Sequence, residues 1–185
     1  MAPEAIQMTD VADVVILEGT QFIDRAIVTK GMGLLSSGKA RHMIIVLHRI
    51  SPDDWPFAFH EDYSSSVRME LQSLGMKESA FTIIEIPIRN PITLTSAKGA
   101  LEILVQDSVK SALLVSPGFH LRRSYLVYQH LSMPWNIKIY PVACFDDYET
   151  DNWWHERNGI RDFISESAKL VYYMAKGYIP FKLCY

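Results

Sequence analysis

The chain has 185 residues, 49% of them hydrophobic and 21% charged, which is ordinary globular usage and excludes disordered and fibrous classes. Its net charge of −3 supplies no general attraction to nucleic acid or an anionic membrane, so any anion site has to be a local cluster of cations. Two distant cysteines, Cys144 and Cys184, in no ligand-like spacing, exclude a disulfide framework and a zinc site and point to a reducing cytoplasm.

Short Val- and Ile-rich runs alternate with longer amphipathic segments. The opening MAPEAIQMTDVADVVILEGT has no basic region and only a short apolar run, unlike a secretory signal. No stretch approaches the roughly 20 apolar residues of a membrane span, so no membrane insertion is expected. The first run, DVVILEG, ends at Gly19. Thr20 to Ser37 follows with helical spacing at Phe22, Ile23, Ala26 and Ile27, weakened by Gly31 and Gly33. The second run is HMIIVLH. After it, Arg49 to Ser65 is an irregular segment with two prolines and four acids, of a length more often functional than accidental.

Ser64 to Leu74 reads as the second helix, with Val67, Leu71 and Leu74 on one side. FTIIEIP is the third strand. Pro91 to Gln106 starts on a proline, a good first-turn residue, and carries Ala97, Leu101, Leu104 and Val105 inward. SALLVSP precedes a fourth helix at Leu121 to Leu131. NIKIYPV precedes a fifth at Arg157 to Met174, where Ile160, Phe163, Ile164, Ala168 and Val171 recur at helical spacing. Unbroken apolar strands are buried on both faces, as in a parallel sheet. Right-handed crossovers then make one α/β domain over 1–185, a three-layer sandwich on a five-stranded parallel sheet.

Ligands of open α/β sheets bind outside the carboxyl ends of the strands. The candidates are therefore Glu18, Gly19 and Thr20; His48 and Arg49; Arg89, Asn90 and Thr93; Ser116, Gly118, His120 and Arg123; Asp146 and Asp147. The fourth exit, SALLVSPGFHLRRSYL, is the most informative. It places Arg122 and Arg123 on a first helical turn, where the helix dipole disfavours each cation by about 0.3 to 1 kcal/mol. An anion compensates, since free N–H groups and an arginine fork suit phosphate or carboxylate. The alternative is that Arg122 faces solvent and Arg123 pairs with a neighbouring acid. His120 reads as an acid, base or donor there, or as a local cap.

There is no G-x-x-x-x-G-K-[ST] loop, and LEGTQF has one glycine where a dinucleotide fingerprint needs three. A G-x-S-x-G elbow is missing as well. P-loop hydrolysis, NAD binding and serine hydrolysis are thus disfavoured. The acids of FHED and CFDDYETD could feed a hard cation, but loop acids are usually solvated, and no metal is expected. WWHER reads as a helix-start anchor, with Trp153 or Trp154 able to wall a pocket. Tyr178, Phe181 and Tyr185 either make a dimer contact or pack back on the domain.

ADVVILEG, RNPITLTSA, LLVSPGFHLRRS and ESAKLVYY occur in one order, and together they resemble the bacterial SanA/YdcF/ElyC-like domain of largely unknown function. In that family the fourth strand ends in Thr or Ser, followed by a histidine and, three positions on, an arginine; Ser116, His120 and Arg123 stand there. The positions of its Ser-x-x-Thr-x-x-Asn-Ala motif fall on Asn90, Thr93, Ser96 and Ala97. Glu18 precedes a single Gly19 where the family commonly has a pair of glycines, and His48 and Arg49 replace its usual Ser-Gly.

The resemblance implies a Rossmann-like sheet in strand order 3-2-1-4-5, with Gly19 and His120 flanking one crevice. It implies a phosphorylated or nucleotide-like ligand, with S-adenosylmethionine as one candidate, and a link to envelope biogenesis. The expected site has His120 as the catalytic group and Gly19, Thr20, Asn90, Thr93, Ser96, Ser116, Gly118 and Arg123 as ligand-binding residues. Three functions compete. The first is a small-anion binder with phosphoryl-transfer or hydrolytic activity, the second a non-catalytic regulatory or interaction protein, the third an S-adenosylmethionine-binding protein.

Overall fold

A computed structural model of the chain describes residues 11–18, 23–49, 63–146 and 148–183. Its strands are β1 (Ala12–Glu18), β2 (Ala40–Arg49), β3 (Phe81–Pro87), β4 (Ser111–Pro117) and β5 (Lys138–Cys144). They form one sheet in the order β3-β2-β1-β4-β5, with every pairing parallel. The helices are α1 (Arg25–Ser36), α2 (Tyr63–Ser73), α3 (Ile92–Gln106), α4 (His120–Ser132) and α5 (Arg157–Ala175). This is the three-layer, Rossmann-like sandwich expected, in the expected strand order.

Both faces of the sheet are apolar, which is why the strands read as unbroken hydrophobic runs. Val14, Ile16, Ile44, Val46 and Leu114 pack with α3, α4 and the end of α5. Val15, Leu17, Ile45, Leu47 and Val115 pack with α1 and α2 on the other side. The sheet is in register at Leu17 with Val115 and at Glu18 with Val46, so the carboxyl ends of β1, β2 and β4 lie side by side.

Helix α1 begins at Arg25, later than the periodicity from Thr20 suggests. Asp24 is extended there and its side chain accepts from the Ala26 N–H at 2.9 Å, an N-cap that sets the start. Gly31 is a packing residue: a Cβ on it would lie 2.6 Å from Leu17 Cδ2, so α1 approaches β1 only where no side chain intervenes. Helix α5 forms as its periodicity predicts, but the periodic apolar positions turn outward. Ile164 and Val171 are each 61% exposed, while Glu166 and Tyr173 are buried. Periodicity specified a helix; the partners of Glu166 decided which face went in. Beyond α5 the chain turns back, with Tyr178 against the core, Ile179 fully buried and Phe181 exposed. No described helix is long and apolar enough to cross a membrane.

Candidate functional site

Successive residues of a strand point to opposite faces. On the face under α3 and α4, β1, β2 and β4 run apolar until their last inward positions, which are Glu18, His48 and Ser116, all buried. Helix spacing supplies the groups above them. Thr93 and Ser96 come from the start of α3, and His120, Arg123, Ser124 and Tyr128 from one face of α4. Glu166, Lys169 and Tyr173 come from one face of α5. A cleft of about 780 Å³ opens between these elements, within the range of small-ligand sites.

Arg123 organises the cleft from a buried position. Its Nε donates to Glu166 Oε2 at 2.8 Å and its Nη2 to Oε1 at 3.2 Å, a two-point ion pair. Its Nη1 donates to Thr93 Oγ1 at 2.6 Å, and its guanidinium lies 4.9 Å from the centre of the Tyr173 ring. Lys169 Nζ donates to Glu166 Oε1 at 2.8 Å and is half exposed. The first-turn arginine is thus compensated from within the chain, by an acid of α5. Arg122, its neighbour, is exposed.

His120 Nδ1 lies 2.9 Å from Arg123 Nη2 and 3.3 Å from Glu166 Oε2. A guanidinium only donates, so at the shorter contact Nδ1 accepts, and the ring proton sits on Nε2. Nε2 has no partner among the described residues, and His120 lines the cleft. Burial lowers the pKa of His120, as does the Arg123 charge, against the raising effect of Glu166. The ring is therefore neutral near neutrality. Burial by itself would raise Glu166, but the two bonds from Arg123 and its charge hold the carboxyl well below the usual range.

Glu18 is the opposite case. Its carboxyl is 1% exposed and burial pushes its pKa up to about 8, the nearby Arg123 charge opposing and Glu166 adding to the rise. At pH 7 it is mostly the neutral acid. Ser124 Oγ donates to Glu18 Oε2. Glu18 Oε1, Ser116 Oγ and Tyr128 OH have no hydrogen-bond partner among the described residues. His48 Nε2 lies 2.6 Å from Ser96 Oγ, which donates in turn to the Ile92 carbonyl at 3.0 Å. A serine has one proton to give, so His48 is the donor in that pair and Ser96 is not arranged as a nucleophile.

Of the expected site residues, Asn90, Thr93, Ser96, His120 and Arg123 line the cleft. Two do not. Ser116 is fully buried beneath the cleft because β4 alternation points it under α4. Gly118, at φ +31°, turns to the other side, where its N–H bonds to the Cys144 carbonyl at 2.8 Å. There it borders a separate pocket of about 290 Å³ walled by Phe119, Trp153 and Phe163. Gly19, Thr20 and Asp147 lie outside the described residues, as does most of the irregular 49–65 segment. Sequence reasoning missed Glu166 and Lys169. The available signal was the first-turn Arg123 itself, which called for an acid without saying which one.

Parallel strands in this order, two helical layers and a polar cleft at the strand exits define a Rossmann-like α/β protein. No protein-family model matches the chain, and no curated protein matches it.

Proposed function

We propose that the cleft binds a small anionic, phosphorylated ligand, held by Lys169 and by the Nε2–H of His120. The observation that supports this reading is the charge balance of the buried cluster. Two cations, Arg123 and Lys169, face one ionised acid, Glu166, because Glu18 holds its proton and His120 is neutral. One positive charge is left over in a partly desolvated site, where attraction to an anion exceeds its value in water. Arg123 contributes mainly by fixing Glu166 and the His120 tautomer. His120 Nε2–H would then donate a hydrogen bond to a phosphoryl oxygen and stabilise charge that builds there, which suits phosphoryl transfer or hydrolysis. The resemblance to the SanA/YdcF/ElyC-like domain points the same way, and a reducing cytoplasm suits the two cysteines.

A second reading rests on the same arginine. Four of the five guanidinium N–H groups already have partners inside the chain, which suits a non-catalytic regulatory or interaction protein that keeps the cluster for stability. A thermal-shift screen separates the two, using inorganic phosphate, sugar phosphates, nucleotides and S-adenosylmethionine. A ligand at 100 times its Kd stabilises by about 2.7 kcal/mol, and Lys169→Ala is expected to remove most of that shift. If no phosphorylated compound moves the melting curve, the interaction protein replaces the anion binder. Turnover of a simple phosphoester that His120→Ala abolishes would establish an enzyme.

A further inference from the structure

We infer that the anionic group bound in this cleft is attached to a planar aromatic ring, which packs against Tyr172 and the exposed isoleucines Ile88 and Ile92. The inference rests on the anion reading of the cleft and extends it to the body of the ligand. Tyr172, Ile88 and Ile92 line the same cleft as the polar cluster, yet they keep 49%, 41% and 38% of their surface exposed. Burial does not explain them, because none belongs to either core.

The neighbouring tyrosines do have structural roles. Tyr173 is buried against Arg123, and Tyr178 folds back on it through a backbone bond of 2.9 Å and an edge-to-face contact at 5.5 Å. Tyr172 touches both only edge-on, at 6.1 and 6.4 Å, and Lys176 lies 6.0 Å from its ring centre. Its orientation is therefore braced while much of its surface remains open.

The position of the charge decides between a ring and a chain. Lys169 precedes Tyr172 by three residues on α5, so the two side chains are neighbours about 5 to 6 Å apart at Cβ. A phosphoryl group at Lys169 and a ring at Tyr172 are thus close together, as in an aryl phosphate or a nucleoside monophosphate. A long apolar tail would need a continuous greasy trench. Here the buried lining beneath the lips is mostly polar, with Glu18, His48, Thr93, Ser96, His120 and Arg123. Aromatic rings meet tyrosine in stacked or edge-to-face geometry with a gain beyond simple area burial.

Calorimetric titration of the full chain with inorganic phosphate, phenyl phosphate, adenosine monophosphate and geranyl phosphate tests the inference. Phenyl phosphate and adenosine monophosphate are expected to bind about tenfold more tightly than inorganic or geranyl phosphate. Tyr172→Ala, at an exposed site that does not threaten folding, is expected to erase that advantage, and Tyr172→Phe to keep it. Equal affinity for inorganic phosphate and the ring-bearing phosphates, or an advantage that survives Tyr172→Ala, overturns the ring while leaving the anion site standing. Tighter binding of geranyl phosphate overturns it in favour of an apolar chain. If none of the four binds, the anion reading falls with it.

Discussion

The two faces of the sheet are made by the same strands and end differently. Under α1 and α2 the last inward residues are Leu17, Leu47 and Val115, all in the apolar core. One residue further along each strand, Glu18, His48 and Ser116 turn to the face under α3 and α4. A step of one residue separates core from site, because the side-chain period of a strand is two. Buried polar groups are tolerated only where partners meet them. The helices on that face supply Ser124 for Glu18 and Ser96 for His48. The difference teaches that a fully buried parallel sheet can carry a polar site on one face without losing its apolar pattern on the other.

Breaking the polar side at its ion pair has the largest expected effect. Glu166→Gln leaves the buried Arg123 guanidinium without its counter-charge, and the expected loss is about 3 to 5 kcal/mol in urea denaturation. A loss below about 1 kcal/mol would mean that the pair does not anchor α5 to α4. Leu17→Ala, on the apolar side, is expected to lose about 2 to 5 kcal/mol, by the same amount at pH 5 and pH 8.

Its neighbour Glu18 should behave otherwise. The folded-state pKa is raised from 4.5 to about 8, so its contribution to stability is fully present below pH 4.5 and is lost as pH rises to about 8. The slope is roughly 1.4 kcal/mol per pH unit within that window. Glu18→Gln removes it, and the variant should gain on the wild type steadily from pH 5 to pH 8. A difference that stays flat across that range would place Glu18 in a far wetter site than its burial indicates. Arg122→Ala, at the exposed partner of the arginine pair, is expected to change stability by no more than about 0.5 kcal/mol.

The layers of the fold were legible because their signals are local. Val/Ile runs gave FTIIEIP and SALLVSP with the bounds of β3 and β4, and periodic spacing gave α3 to within a residue. Ordering the strands took more than periodicity, since a buried parallel strand looks the same at the edge and at the centre; the family resemblance supplied the order. The candidate site was half legible. Strand-exit logic selected Asn90, Thr93, His120 and Arg123, all of which meet in the cleft, and Ser96 came from the motif. It also admitted Ser116 and Gly118, because proximity to a strand end does not say which way a residue turns.

Hydrophobic period, turn residues and strand-length runs act between neighbours in the chain, so they settle the element types, the parallel sheet and the strand ends where polar groups gather. The partner of Arg123 is another matter. Glu166 is 43 residues away, and nothing in the local pattern of ESAKLVYY distinguishes a buried counter-ion from a solvated acid. Packing α5 across the start of α4 brings that carboxylate to Arg123. The same packing orients His120 Nε2–H, and closure of the sheet against α4 seals Glu18 from water. Charge states in the cleft depend on burial and on neighbours distant in sequence, which is why tertiary structure alone decides them.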